Sequence, residues 1–170
     1  YLNLVKYETE DQIAAAKKLA EHSYIDQNNI GIWGWSFGGH MSTNALLKGN
    51  DIFTTAIAVA PVTSWRFYDT VYTERFLRTP QENPVGYDEN SPVNYAEKLK
   101  GNYLLVHGTG DDNVHVQNSY RMINSLIEAN KQFEMFMVPD RTHGIYIGKN
   151  TRLNLYTKMT NFIQKNLNKK

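Results

Sequence analysis

The sequence predicts an α/β fold in which helices cover both faces of a mainly parallel sheet. Short apolar segments with the length of strands alternate with segments of helical periodicity along most of the chain. Strands joined through helices need crossover connections, which give a parallel sheet with its reactive loops at the carboxyl ends of the strands. With 170 residues, 41% of them hydrophobic, the chain can bury a substantial core.

Four elements are predicted in the first part of the chain. They are a helix over 11–21, a strand over 29–33, a helix over 38–48 and a strand over 53–60. The helices have apolar residues at spacings of three and four, whereas the strands are short, continuous apolar runs. We expect Gly38 and Gly39 to permit close approach of the second helix to the sheet.

The second part of the chain begins with an aromatic-rich excursion over 62–90, which is too long for a plain connector. The elements predicted after it are a short helix over 91–99, strands over 103–107 and 133–138, and helices over 115–130 and 150–167. The last helix has an apolar face, predicted to be core or an interface, formed by Leu153, Tyr156, Met159, Phe162, Ile163 and Leu167.

Residues 34–38 read Gly-Trp-Ser-Phe-Gly at the junction of a predicted strand and a predicted helix. This Gly-x-Ser-x-Gly pattern is typical of a nucleophile elbow, a turn so tight that the serine hydroxyl points outward. We expect Gly34 and Gly38 to be required because side chains there would collide with the neighbouring strand and helix. Ser36 is therefore the candidate nucleophile.

A serine hydroxyl needs a histidine to take its proton and a carboxylate to orient that histidine. Asp111 and Asp112 follow the strand over 103–107, and His143 follows the strand over 133–138. The order serine, acid, histidine is that of hydrolases with this elbow. His143 is the candidate base, and either aspartate is the candidate acid.

Each of these residues also has a simpler interpretation. Ser36 could serve the turn alone, and Asp111 or Asp112 could cap the helix that begins near residue 115. His143 could be an ordinary polar loop residue. Structural or solvated roles are expected for the other histidines, which are His22, His40, His107 and His115.

Composition excludes several classes of function. The formal charge of +1, with basic residues spread along the chain, predicts no nucleic-acid partner. No apolar run of about eighteen residues occurs, so this segment is expected to make no membrane contact. Cysteine is absent and no histidines have metal-binding spacing, so we expect no disulfide, metal or cofactor.

About four strands are predicted, whereas a complete α/β-hydrolase sheet has about eight, with the elbow after the fifth. The chain is therefore expected to be the C-terminal half of an α/β-hydrolase fold. The missing half would supply a strand beside the elbow strand, which predicts an unpaired edge there.

Several separate segments together resemble the dipeptidyl peptidase IV branch of the prolyl oligopeptidase family of serine peptidases. The segments are residues 34–39 (GWSFGG), 58–65 (AVAPVTSW), 68–75 (YDTVYTER), 107–115 (HGTGDDNVH) and 143–144 (HG). They agree with that family in order and spacing, and the resemblance extends over nearly the whole chain. Residues 1–170 are accordingly interpreted as part of a catalytic domain whose upstream strands and β-propeller lie outside this sequence.

The resemblance implies a role for particular residues. It implies Ser36 as nucleophile, Asp111 as the acid, His143 as general base and the Phe37 backbone N–H as an oxyanion donor. It further implies a substrate site formed by Tyr68, Tyr72, Trp65, Val62, Val114 and Asn113. An aromatic pocket suits proline, since its ring offers apolar faces and has no amide hydrogen.

The activity implied by the resemblance is release of N-terminal dipeptides with proline or alanine at the second position. In that family a tyrosine from earlier in the domain completes the oxyanion hole, and two propeller glutamates bind the substrate amino terminus. We therefore expect the isolated chain to be weakly active or inactive. A homodimer and an exported, periplasmic or cell-envelope location are also implied.

Two other functions remain open. One is an acylaminoacyl peptidase or esterase of the same fold. The other is a non-catalytic interaction module, supported by the apolar face of residues 150–167.

Overall fold

The computed structural model describes residues 1–167, and its centre is a four-stranded sheet. The strands are β1 (Ile30–Trp35), β2 (Phe53–Val59), β3 (Asn102–Gly108) and β4 (Glu134–Val138). They lie in the order β1-β2-β3-β4, and every neighbouring pair is parallel. The predicted parallel α/β architecture is confirmed.

Helices precede, connect and follow the strands. They are α1 (Lys6–Ala20), α2 (Phe37–Lys48), α3 (Thr70–Leu77), α4 (Pro84–Asp88), α5 (Gln117–Glu128) and α6 (Thr151–Leu167). Two 3-10 helices span Trp65–Phe67 and Pro92–Lys98. The excursion over 62–90 thus contains two short α-helices. Helix α1 begins five residues before the predicted start because its first turn is polar and shows no apolar periodicity.

Two hydrophobic layers cover the sheet, as the alternation of side chains along β2 shows. Ala56 and Ala58 pack in a cluster with residues of α1, α2 and α5. Ile57 and Val59 point the opposite way, into a cluster with residues of α6. Both faces of the inner strands β2 and β3 are therefore buried, which accounts for their continuous apolar sequences.

The buried side of α6 differs from the predicted one. Leu155, Met159 and Phe162 pack against the sheet. Leu153 and Tyr156 are exposed, at 68% and 43% of their surface. The spacing of four and three residues places 155, 159 and 162 on one side of the helix. Residue 153 lies nearly opposite that side, and residue 156 lies about a quarter turn from it. Met159 and Phe162 are therefore core residues, as predicted, whereas Leu153 is not, and its alternative role in an interface stays a prediction.

All four strands end at the same edge of the sheet. The Ser36 N–H donates to the Val59 carbonyl at 2.8 Å, and Gly108 pairs with Val138. The loops after the strands consequently gather along one rim. A third hydrophobic cluster, built around Trp65 from the 62–90 segment, packs at this rim.

The outer edge of β1 is open. Within residues 1–167, β1 pairs only with β2 and β4 only with β3. The unpaired edge beside the elbow strand agrees with the expectation from the sequence. Trp33 of β1 leaves 53% of its surface exposed.

Candidate active site

Ser36 lies at the turn between β1 and α2 in a strained backbone conformation, with φ 59° and ψ −117°. Residues other than glycine rarely adopt this region, and when they do the surrounding structure must hold them there. Hydrogen bonds from Ser36 N–H to the Val59 carbonyl and from His40 N–H to the Ser36 carbonyl provide that support. The tight turn leaves the side chain at the rim of the sheet.

The glycines around Ser36 have unequal importance. A Cβ on Gly34 would approach the Gly38 carbonyl oxygen to 2.1 Å, which no side chain can occupy. A Cβ on Gly38 would meet no described atom within 4 Å, so the expected collision at Gly38 is wrong. The close approach of α2 to the sheet depends instead on Gly39, where a Cβ would lie 2.9 Å from the Val59 carbonyl oxygen.

Asp111 and His143 meet on the rim although 32 residues separate them. The Nδ1 atom of His143 lies 2.8 Å from Oδ2 of Asp111. The Asp111 side chain is fully buried, whereas the imidazole keeps 20% of its surface exposed. Because an ionised carboxylate only accepts hydrogen bonds, Nδ1 must carry the proton, which leaves Nε2 available as a base.

The Asp111 carboxylate is held by four donors. Its Oδ1 accepts from the backbone N–H groups of Asn113 and Val114, both at 2.9 Å, and its Oδ2 accepts from His143 and His107. Burial alone raises the pKa of this carboxyl, but the hydrogen bonds, led by those from His107 and His143, lower the pKa well below its ordinary value. The group therefore stays ionised.

Asp112 differs from Asp111 although the two are adjacent. It is exposed, and within residues 1–167 its carboxylate accepts only the His143 backbone N–H, at 3.4 Å. The residues alone left the choice between these aspartates open. In the structure it is Asp111 whose carboxylate contacts the imidazole.

His107 contacts the Asp111 carboxylate, a contact that the sequence analysis did not predict. It is completely buried at the end of β3, and its Nε2 lies 3.0 Å from Oδ2 of Asp111. The signal in the sequence was a histidine at the end of a buried strand, since a buried imidazole needs polar partners. The nearest polar candidates follow directly in the loop.

One hydrogen bond connects the strand end before Ser36 to the loop that carries His143. The Trp35 indole N–H donates to the His143 carbonyl at 3.0 Å, which ties the residue before the serine to the histidine loop. Within residues 1–167, no hydrogen bond joins the Ser36 hydroxyl to the imidazole. Such a bond commonly tightens only when substrate is bound.

The residues implied for substrate binding form part of the third hydrophobic cluster. That cluster contains Val62, Trp65, Val114, Tyr68 and Tyr72, with Phe37 packed beside them. The Trp65 ring stacks on Tyr72 at 6.0 Å, and Tyr68 meets Tyr72 edge to face at 5.4 Å. Val62, Trp65 and Val114 are almost completely buried, so the two tyrosines present the accessible surface.

Asn113 lies between the aromatic cluster and Asp111. Its Oδ1 accepts a 2.7 Å hydrogen bond from the Tyr68 hydroxyl, and its backbone N–H donates to Asp111. Burial raises the pKa of Tyr68, so its hydroxyl keeps the proton that it donates. Within the described residues the Asn113 side-chain NH₂ makes no hydrogen bond, and it is free to donate.

Residues 1–167 contain no group of three or more histidine, cysteine or acidic side chains arranged to hold a metal ion. No helix in this part of the chain has the length and apolar character needed to cross a membrane.

The parallel sheet, the strained serine turn and the buried acid–histidine pair define the C-terminal half of an α/β-hydrolase. The chain belongs to the prolyl oligopeptidase family of peptidases, whose family model matches residues 1–170. The family and the fold predicted from the sequence are thereby confirmed.

Individual relatives agree with this assignment. A probable dipeptidyl-aminopeptidase B of Neurospora crassa is 45% identical over 165 residues, which are 95% of this chain and 18% of the relative. The prolyl endopeptidase FAP of Mus musculus is 42% identical over 167 residues, 96% of this chain and 22% of the relative. The crystal structure of Porphyromonas gingivalis dipeptidyl peptidase 4 superimposes with a TM-score of 0.96 at 49% identity, covering 98% of this chain and 24% of that one. The chain thus spans about a fifth of the length of these relatives.

Proposed function

We propose that the chain is the C-terminal part of the catalytic domain of a serine peptidase that releases N-terminal dipeptides. The proposed preference is for proline or alanine at the second position. The observation that carries the proposal is the 2.8 Å contact between His143 and the buried Asp111, at the rim where Ser36 occupies a strained turn. The relatives named as dipeptidyl peptidases support the substrate class.

In the proposed mechanism, Ser36 attacks the carbonyl carbon of the second substrate residue. His143 Nε2 takes the serine proton and then gives it to the leaving amine, and the acyl-enzyme is hydrolysed by water in the second half of the reaction. Asp111 keeps the proton of the imidazole on Nδ1 and stabilises the imidazolium that forms. The lowered pKa of Asp111 supports this role because the carboxylate stays charged throughout.

The Phe37 backbone N–H is the proposed oxyanion donor. It belongs to the first turn of α2, where no carbonyl of the same helix can accept it, and the helix dipole favours negative charge at this end. A second donor and the groups that bind the substrate amino terminus are proposed to come from the rest of the protein.

The aromatic cluster is the proposed pocket for the second substrate residue. Phe37 links it directly to the nucleophile, since its ring packs 6.0 Å from Trp65 and Ser36 precedes it in the chain. The Tyr68 and Tyr72 rings offer flat apolar surface to a pyrrolidine ring or a methyl group. The Asn113 NH₂, which makes no hydrogen bond within residues 1–167, is suited to a substrate carbonyl.

Labelling with a fluorophosphonate tests the nucleophile. The whole protein is expected to react, and Ser36→Ala is expected to abolish the label. Ser42→Ala is the matched control, because Ser42 is completely buried in α2. Absence of labelling in the folded wild-type protein would refute the proposal.

Substrate comparison separates the two peptidase candidates. We expect release of the chromophore from Gly-Pro and Gly-Ala anilides, with little turnover of acyl-amino anilides or simple esters. The opposite order would favour an acylaminoacyl peptidase or an esterase of the same fold.

An interaction role has its own support in the exposed apolar residues of α6, which include Leu153 and Tyr156. We propose that this surface contributes to a homodimer of the whole protein, and sedimentation of wild type against Leu153→Glu tests it. The proposed location is exported, periplasmic or in the cell envelope, and cell fractionation tests that part.

A further inference from the structure

The Asp111 carboxylate has a second histidine partner, His107, which the triad mechanism does not use. His107 Nε2 lies 3.0 Å from Asp111 Oδ2 and 2.9 Å from the Val114 carbonyl oxygen. Its Nδ1 lies 2.6 Å from the Ser119 hydroxyl on α5. Both histidine and aspartate side chains are fully buried, so water does not compete for these contacts.

These contacts assign the proton on the ring of His107. A carbonyl and an ionised carboxylate are acceptors only, so the nitrogen that faces both of them, Nε2, must carry hydrogen. In the neutral ring Nδ1 then accepts from the Ser119 hydroxyl. His107 therefore acts as a fixed donor whose orientation is set from α5.

The two oxygens of Asp111 are held in different ways. Oδ1 accepts two backbone N–H groups from its own loop, at Asn113 and Val114. Oδ2, the oxygen that contacts His143, has His107 as its one other donor within residues 1–167. Asp111 has to orient His143, so His143 cannot also be what holds Oδ2 in place. The bond from His107 therefore fixes the position of this oxygen.

We propose that His107 is a positioning residue for the reaction, because it holds Asp111 Oδ2 where His143 Nδ1 requires it. The inference rests on the proposed function. It extends that function by a fourth residue, which links the acid of the site to the helix α5 through Ser119. The proposal depends on the hydrogen bond that His107 Nε2 donates to Asp111 Oδ2. Packing of the His107 ring alone would not hold Oδ2 in position.

Two substitutions at residue 107 test whether the hydrogen-bond donor at the Nε2 position, rather than the aromatic ring, is required. In His107→Gln the side-chain NH₂ can reach the position of Nε2, so the bond to Asp111 is retained. In His107→Asn the side chain reaches only the position of Nδ1, so the bond to Ser119 can persist while that to Asp111 is lost. Both variants lose the aromatic ring, and His22→Asn at an exposed remote site is the control.

The assay is turnover of Gly-Pro-p-nitroanilide by the whole protein between pH 5 and 9, with thermal unfolding measured in parallel. We expect His107→Asn to lower kcat about ten- to a hundredfold with KM unchanged, as for loss of a hydrogen bond to a charged group. His107→Gln should stay within about threefold of wild type. Equal losses in the two variants would identify a packing role and overturn the proposal, and so would no loss in either.

The pH profile adds a readout that packing would not move. Within residues 1–167, the charged and titratable groups that contact or face His143 and Asp111 include His107, Asp112 and Tyr68. If Asp111 loses its position in His107→Asn, the His143 imidazolium is less stabilised and the acid limb of kcat/KM moves to lower pH. A shift to higher pH would mean that His107 moderates the charge of Asp111 without positioning it, which would overturn the proposal.

The experiment also covers two other outcomes, a variant that does not fold and a wild-type protein without activity. If His107→Asn does not fold, Ser119→Ala decides instead, with an expected three- to tenfold loss of kcat at unchanged KM, on the order of one neutral hydrogen bond. An unchanged kcat in that variant would overturn the proposal. Absence of Gly-Pro anilide turnover by wild type would refute the proposed function itself, and this inference with it.

Discussion

Gly34 is the position where the turn at Ser36 tolerates least change. The Cβ introduced by Gly34→Ala would lie 2.1 Å from the Gly38 carbonyl oxygen, so the turn must open and the serine must move. We expect a loss of about 1–3 kcal/mol in unfolding free energy, the usual cost of overpacking, together with loss of fluorophosphonate labelling. Chemical unfolding and labelling of the whole protein measure both effects.

Gly38→Ala is the matched control for that substitution. No described atom lies within 4 Å of the introduced Cβ, and alanine favours the helix by about 1 kcal/mol over glycine. The protein should therefore keep or gain stability. Equal damage from both substitutions would contradict the asymmetry derived for the turn.

His40 is a buried histidine that should make stability depend on pH. Burial lowers the pKa of His40 to about 4, and its Nδ1 donates to the Val62 carbonyl at 2.9 Å. The unfolded chain binds a proton near pH 6.5 and the folded chain near pH 4, so this contribution is complete above 6.5 and declines as the pH falls toward 4. We expect a loss of about 2 kcal/mol between pH 7 and 5.

Urea unfolding at pH 7 and pH 5 measures this dependence in wild type and in His40→Asn. Asparagine can place an NH₂ group where Nδ1 donates, and it does not titrate. The variant should show a flatter dependence on pH. The depressed pKa of Asp111 acts only at lower pH, below its ordinary value of 3.8, so it does not interfere. Equal slopes in the two proteins would contradict the assignment.

At the scale of elements, the site depends on a link between β1 and the loop after β4. The Trp35 indole N–H donates to the His143 carbonyl at 3.0 Å. Trp35→Phe keeps an aromatic ring but removes the donor, so the histidine loop is held less firmly. We expect kcat/KM for a Gly-Pro anilide to fall about two- to tenfold, the equivalent of one neutral hydrogen bond.

Trp33→Phe provides the comparison within the same strand. Trp33 is 53% exposed and makes no hydrogen bond through its indole within residues 1–167. Its indole makes no bond to the histidine loop, so Trp33→Phe should lower kcat/KM less than Trp35→Phe does. An equal effect of both substitutions would indicate that β1 is disturbed as a whole.

The elements differ in how far the sequence could predict them. All four strands and the helices α2, α5 and α6 were predictable because their apolar residues repeat regularly or form compact runs. The helices α3 and α4 were not, since both are short and lie in a segment with Pro80, Pro84 and Gly86, which are typical of loops.

The candidate site shows a similar division. The serine turn was predictable because its glycine spacing reflects local sterics. The steric requirement for glycine at position 38, however, was overestimated. The choice of Asp111 over Asp112 and the contact of His107 depend on which side chains are buried together. That is set by tertiary packing and leaves little trace in local sequence.

At the scale of the whole molecule, the chain presents surfaces that a complete domain would cover. Within residues 1–167 the elbow strand β1 has one open edge, and Trp33 is exposed on it. An unpaired edge is a template for pairing with another chain. The relatives extend far beyond this segment, which spans 18% to 24% of their length.

We therefore expect residues 1–170, expressed alone, to associate with one another and to turn over Gly-Pro anilide at least about two to three orders of magnitude more slowly than the whole protein. The open β1 edge causes the association. Turnover is slower because the segment lacks the second oxyanion donor, and one such donor typically contributes about two to three orders of magnitude in rate. Sedimentation over a range of concentrations and parallel kinetics measure both. Charged substitution of the edge residue Trp33, as Trp33→Lys, should reduce association without restoring activity. A monomeric segment with the turnover of the whole protein would show that residues 1–170 carry the complete site, contrary to the proposed contribution of the remaining domain.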